Sequence, residues 1–535
     1  MRKNYLLFSL VIFIFSSTAQ TTTLLETKGS SGTGSWTARQ AKLITLLPAF
    51  TPIANSSTLD VNKYGSLNNT SETSTGFFYT KKIGSRWWII DPDGKAQLNI
   101  AMNSLYNLAN DAAVAAASDR LWAIGFNGIG SFLSDENQTL RYNSTHTNQF
   151  SYTRRINFFL NYKNVRKNYY TTPTAIQGDL NYIFVLDPKF AEYCDTQAKK
   201  FEQYKNEKNL LGYFIDNEIN FNQDQLPNFL TDLSAGDPSY DEALAFATAN
   251  GLTKAQVVAG QASEAVLQAF ATKLAEHYYE VTSAALKKYD PNHMNLGSRL
   301  HGRPRAIQGV VKAAAKWCDI VSINFYDNYS PDNQITNANT YLKWIDKPCI
   351  VSEFYVKGED AVTAGWVTGY SGAGWLVKTQ TNRGNWYQNT CIELLKSNRF
   401  VGWHWFKYQD DGDSNKGIVK DVTNGSSEYL DLTNQMTLVN NNRFALINYF
   451  DGTTSVVTNI NQNISITKLD GNITLNGIEE KSTLRIYDIS GKQVITLEIE
   501  GTTKTISLNG MNKGIYFLKI DAISGHNQYI RKLTI

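Results

Sequence analysis

The sequence predicts an α/β chain: a (β/α)8 TIM barrel followed by a small C-terminal β-sandwich. Two observations carry this. Eight short apolar runs alternate with helix-like segments between about residues 77 and 450, the pattern of parallel strands joined by crossover helices. Past about residue 460 the texture turns to short Thr/Ile/Asn/Gly-rich runs, spaced almost regularly by turn residues, as in a small sandwich. The length of 535 residues agrees, since a barrel of about 250 residues or more takes up two average domains.

Taken in chain order, residues 1–20 read as a signal peptide. Arg2 and Lys3 precede an apolar stretch over 6–15, and Ser17-Thr18-Ala19 puts small residues at the cleavage positions. That stretch is too short to cross a bilayer, and no other apolar run reaches about 18 residues, so export without a membrane span is expected. Residues 21–76, rich in Ser, Thr, Gly and Asn, read as a flexible leader with short strands at most. The run Arg86-Trp87-Trp88-Ile89-Ile90 before Asp91-Pro92-Asp93-Gly94 predicts a strand closed by a turn. The barrel domain is assigned to 77–450, with strands at 98–102, 127–131, 156–160, 211–215, 294–298, 320–325, 348–354 and 401–406. Helices are predicted over 190–206, 262–288 and 385–397, where apolar residues recur at three- and four-residue intervals. The sandwich is assigned to 460–535, with strands near 464–467, 483–488, 493–497 and 514–520.

Composition narrows the function. Lys+Arg number 51 against 48 Asp+Glu, a net charge of +3, without the concentrated basic face that nucleic-acid binding needs. With 42% hydrophobic and 19% charged residues the chain is not globally disordered. The 12% aromatic content suits either a large core or a sugar-binding cleft. Four cysteines are too few for a disulfide scaffold, and they read as buried small hydrophobes. The histidines show no HxH or HExxH spacing, and no phosphate or dinucleotide loop is present. No metal and no cofactor is therefore expected.

Reactive groups of a barrel sit at the C-terminal ends of its strands. Two predicted strands end in glutamate: the fourth runs Gly212-Tyr213-Phe214-Ile215-Asp216-Asn217-Glu218, and the seventh Pro348-Cys349-Ile350-Val351-Ser352-Glu353-Phe354. Two facing carboxyls are what glycosidic cleavage needs, one protonated for the leaving oxygen and one ionised to attack or to activate water. Other strand ends supply candidate substrate-binding residues. Asn217 is placed to bond a sugar hydroxyl, Arg299 and His301 follow the fifth strand, and Tyr326 is placed to donate to Glu353 and favour its ionised form. Trp403 and Trp405 share one face of the eighth strand, with Trp405 as a candidate platform under a sugar ring, and Trp375 is a second candidate. His404, between the tryptophans, reads as a buried, hydrogen-bonded histidine on the opposite face.

Asn217-Glu218 and Glu353 on strands four and seven resemble the retaining glycosidases of clan A, in which the first glutamate is the acid/base and the second the nucleophile. The segments RWWIIDPDG (86–94), WAIGFNGIGS (122–131), LGYFIDNE (211–218), LGSR (296–299), CDIVSINFY (318–326), VSEF (351–354), GWLVKTQTNRG (374–384) and GWHWFKYQD (402–410) resemble the β-agarases of glycoside hydrolase family 50, in that order. Lys407 and Tyr355 depart from the family's commoner Gln and His. The resemblance implies a two-glutamate double displacement on a red-algal galactan. Agar leads, with carrageenan, porphyran, another β-galactan or a β-mannan as alternatives. A non-catalytic surface glycan-binding protein is the rival from another class. In the tail, LRIYDISGK (484–492), GIYFL (514–518) and RKLTI (531–535) resemble the C-terminal sorting domain of the type IX secretion system. That implies the secretion machinery as a partner and a place at the cell surface or in the medium.

Overall fold

A computed structural model describes the chain from Thr22 to Ile535, apart from residues 30–33, 54–58, 106–107, 134, 136, 332–339, 421–426, 453–464, 470, 479–480, 489–491 and 523–527. The expected signal peptide, 1–20, lies outside the described residues.

The expected leader is not loose in its described part. Strands β1 (Thr23–Lys28) and β2 (Thr37–Ala41) form an antiparallel hairpin. Leu25, Ala41 and Ile44 are buried in the main core. Alternate apolar residues in an otherwise polar stretch suffice to bury one face of a hairpin. Next, β3 (Tyr79–Ile83), β4 (Arg86–Ile90) and β5 (Ala96–Gln97) form a small antiparallel sheet. The turn after β4 is tied by Asp91, whose Oδ1 accepts from the backbone N–H of Asp93 and Lys95 at 2.9 and 2.8 Å.

The barrel strands are β6 (Asn99–Met102), β7 (Gly128–Ile129), β8 (Ser151–Ile156), β9 (Leu210–Ile215), β10 (Met294–Asn295), β11 (Val321–Asn324), β12 (Cys349–Phe354) and, after two short strands, β15 (Phe400–Trp405). The intervening pair, β13 (Val356–Gly358) and β14 (Trp375–Val377), extends the leader hairpin into a four-stranded sheet ordered β13-β14-β1-β2. All neighbours in the eight-stranded sheet are parallel, in the order β10-β9-β8-β7-β6-β15-β12-β11. A parallel bridge between Leu300 and Ile323 joins the two edges of the curled sheet. Leu211, Phe214, Met294, Leu296, Ile320, Ile350 and Val401 cluster with Tyr64, Phe78 and Ile89, so the segment around β4 caps an apolar plug between the strands.

Within the barrel, two sequence expectations need correction. The third strand is Ser151–Ile156, not 156–160, because Phe159–Val165 is a helix. β8 hides Arg154, which stacks on the Tyr204 ring at 3.7 Å and donates to Asn137 at 2.8 Å, so its apolar signature is weak. The Phe-Phe-Leu run instead opens the helix, and the Asp216 carboxylate accepts the N–H groups of Phe159 and Leu160 at 2.8 Å each. The second correction concerns β15. Cys349 pairs with Phe400 but Val351 with Trp403, so β15 carries one extra residue, as at a bulge. Gly402 sits there, and a Cβ on it would lie 2.1 Å from the carbonyl oxygen of Asn99. The bulge turns Trp403 and Trp405 towards the helix Gln380–Lys396 and His404 into the lumen.

The tail folds as two antiparallel sheets. One is β16 (Ser465–Leu469), β17 (Asn472–Asn476) and β20 (Thr503–Ser507). The other is β18 (Ser482–Asp488), β19 (Gln493–Ile499), β21 (Ile515–Ala522) and β22 (Gln528–Thr534). Ile473, Leu475 and Ile506 of the first pack with Leu484, Ile486, Leu518 and Ile520 of the second around one core. Among the described residues no helix is long and apolar enough to cross a membrane.

Candidate active site

Glu353 is the penultimate residue of β12, where the register slips both against β11 and against β15. The residue is 6% exposed. The Arg299 guanidinium donates to Oε1 at 2.6 Å, and the Tyr326 hydroxyl donates to Oε2 at 2.6 Å. Arg299 follows β10 and is itself fully buried, between the rings of Phe132 and Phe214 at 5.0 and 4.7 Å. The same guanidinium nitrogen also donates to the carbonyl of Ser352 at 3.0 Å. Burial pushes the Glu353 carboxyl above its usual range; Arg299 and the Tyr326 bond pull it back down, while the charge of Glu218 pushes it up.

Glu218 stands two residues beyond Asp216 at the end of β9, half-buried. Its Oε1 accepts from the Asn324 side-chain amide at 2.7 Å, and its backbone N–H donates to Ser298 at 3.0 Å. Asn324 is oriented in turn by the Ser352 hydroxyl, which donates to its Oδ1 at 2.8 Å. One chain of contacts thus runs from Glu218 through Asn324 to Ser352, the residue before Glu353. Asp216, Glu218 and Arg299 all have left-handed backbone, with φ of 58°, 53° and 57°. Non-glycine residues in that region are strained and cluster at functional sites.

Asp216 is fully buried and its carboxyl is pushed up to about 6 by desolvation, against the bonds from Leu160, Phe159 and Tyr278. It clamps the strand end that carries Glu218. His404 is likewise buried, with Nε2 2.7 Å from Asn99 Oδ1. Burial and the Arg299 charge lower it to about 3, so it is neutral at any ordinary pH.

The remaining expected residues divide. Asn217 is half-buried beside Glu218, its Oδ1 without a hydrogen-bond partner. His301 lies edge-on to Tyr326 at 5.8 Å, with Nε2 3.8 Å from Asp327. Trp375 begins β14, half-buried, 5.8 Å from the Tyr329 ring. Trp405 is not a platform: it is fully buried, packed on Phe354 at 5.3 Å and Tyr387 at 5.8 Å, with its indole N–H on the Lys416 carbonyl at 3.1 Å. The bulge at Gly402 is the reason, since it hands the lumen face to His404. Asn324 escaped the sequence reading, although it ends strand six two residues before Tyr326. Among the described residues no group of three or more His, Cys, Asp or Glu side chains is placed to hold a metal ion.

Residues 454–535 match the family described as Secretion system C-terminal sorting domain. β-Agarase A of Vibrio sp. (strain JT0107) is 28% identical over 261 residues, 42% of this chain and 26% of that protein. β-Agarase B of the same strain is 31% identical over 141 residues, 26% of this chain and 13% of that protein. The chain thus spans only a minor part of the length of these curated relatives. The crystal structure of BpGH50 shares 29% identity at a TM-score of 0.72, covering 82% of this chain and 98% of that one. An exo-β-agarase structure, 19% identical with a TM-score of 0.58, covers 74% of this chain and 69% of its own and shares the fold. The sorting domain marks a secreted or cell-surface protein. The chain carries a secretion-system sorting domain, and its barrel is similar in sequence and fold to BpGH50 and, over part of their length, in sequence to β-agarases A and B.

Proposed function

We propose that the chain is a retaining β-agarase-like glycoside hydrolase, with Glu353 as nucleophile and Glu218 as acid/base. The observation that supports it most is the pairing of Arg299 and Tyr326 on the two oxygens of a nearly buried carboxylate whose neighbouring charge is Glu218. Two donors on one carboxylate favour its ionised form and fix its attack direction. In the first step the Glu353 carboxylate attacks the anomeric carbon while Glu218 gives its proton to the leaving glycosidic oxygen. In the second, Glu218 takes a proton from water, which displaces Glu353 and restores both groups. Asn324 holds Glu218 at the junction of strands four and six through both steps. The substrate on this reading is a red-algal β-galactan, with agar first because the curated relatives are β-agarases. The domain limits are proposed as before: signal peptide 1–20, catalytic domain to about 450, sorting sandwich from about 460.

The test is Glu353→Ala on agarose and agaro-oligosaccharides. Reducing-end release should vanish, and added azide should restore turnover with a glycosyl azide of inverted configuration as product. Near-normal turnover by Glu353→Ala would remove the assignment. A wild-type chain that binds agarose without releasing reducing ends would favour the glycan-binding rival.

A further inference from the structure

The leader hairpin joins the sheet that begins with β13, just beyond Glu353. β1 pairs antiparallel with β14, Thr27 opposite Val377 and Lys28 opposite Leu376, and β2 lies outside it. This places Arg39 over two rings at once, 4.9 Å from the centre of Trp375 and 5.6 Å from that of Tyr329. Both rings belong to the neighbourhood of the glutamates. Trp375 pairs with Val356, three residues beyond Glu353, about 10 Å of extended chain. Tyr329 follows Tyr326, the donor to Glu353, by three residues.

The hydrogen bonding of this trio is one-sided. Arg39 spends its Nε on the Thr27 hydroxyl at 3.2 Å. Its terminal nitrogens make no ion pair with the described acidic residues. The Trp375 indole N–H and the Tyr329 hydroxyl are sheltered and lack a partner. The indole N–H and the hydroxyl have almost no exposed surface, so the half-buried Arg39 guanidinium is the donor this trio offers outward. The only acceptor among them is the phenol oxygen. Next to it, Lys28 lies over the Trp36 ring at 4.9 Å and adds positive charge, while Lys378, 3.6 Å from the same ring, is paired with Glu359 at 2.8 Å. Planar guanidinium on an aromatic face is a common way to present two parallel N–H groups to an oxyanion.

We propose that Arg39, Trp375 and Tyr329 form a distal subsite that holds a galactan unit bearing an oxyanion substituent, a sulfate ester or a carboxylate acetal. The proposal rests on the galactan reading above. It gives the leader a role in substrate choice: Arg39, braced on the two rings, supplies the charge.

The experiment uses the mature full-length protein and titration calorimetry, so that it does not depend on turnover. Agaro-oligosaccharides of equal length are compared in neutral, sulfated and pyruvylated form, against wild type, Arg39→Ala, Arg39→Gln and Arg39→Lys. Wild type should bind one of the anionic forms more tightly than the neutral one, and the preference should shrink with added salt. Arg39→Ala and Arg39→Gln should weaken that form roughly tenfold more than the neutral one, as expected for one lost charge-assisted contact, with Arg39→Lys in between. Which anionic form responds identifies the substituent. Equal losses for all three forms, or none, would overturn the proposal. Measurable binding with no hydrolysis of any form would instead overturn the reading as a hydrolase and leave the subsite to be judged by the affinities.

Discussion

Replacing Tyr326 by Phe removes one hydroxyl, and the structure says what should follow. Glu353 Oε2 loses its 2.6 Å donor while Oε1 keeps Arg299. With 8% of the side chain exposed, bulk water has little access to take the place of that bond. A hydrogen bond to a charged group contributes about 1.5–3 kcal/mol, and one pKa unit corresponds to about 1.4 kcal/mol. The bond favours the ionised form and so lowers the carboxyl, against the upward push of burial. Its loss therefore raises the Glu353 carboxyl further. On the proposed mechanism Glu353 must be ionised in the free enzyme, so the acid limb of kcat/KM moves to higher pH. The assay is reducing-end release from one agaro-oligosaccharide between pH 4 and 9, wild type against Tyr326→Phe, each with its melting temperature measured in parallel. An acid limb that stays in place, or moves down, in a folded variant would refute the reasoning.

Two further outcomes are expected. Trp405→Ala should cost about 3–5 kcal/mol of stability in thermal or urea unfolding, because it empties a fully buried indole site. A change in KM with unaltered stability would restore its role as a sugar platform. Asp216 has its folded pKa raised from 3.8 to about 6, so its contribution is complete below about pH 4 and is lost as pH rises through about 6. Melting curves of wild type and Asp216→Asn should therefore diverge from each other by an amount that changes by on the order of 3 kcal/mol over that window, and a constant difference would contradict the burial argument.

Much of this protein is written locally. Short apolar runs, helical periodicity and turn residues mark alternating strands and helices, and in a parallel barrel alternation alone dictates which end of every strand is chemically useful. Glu218, Glu353 and Tyr326 were legible for that reason: each stands at a strand end, whatever the packing around it. The sorting tail was legible from its motifs. Tertiary structure decided what depends on register and on partners distant in sequence. One extra residue at Gly402 reverses the faces of β15, so Trp405 goes to the core and His404 to the lumen, and a period-two reading has no means of locating that slip. β8 conceals Arg154 against Tyr204, so charge masked the true third strand. Asn324 reads as an ordinary polar residue until folding sets it against Glu218, 106 residues away. The leader looked loose because its polar composition says nothing of the strand edge that β14 offers it, some 350 residues further along the chain. Composition and periodicity act over a few residues, whereas register and sheet edges are settled only when the whole barrel closes.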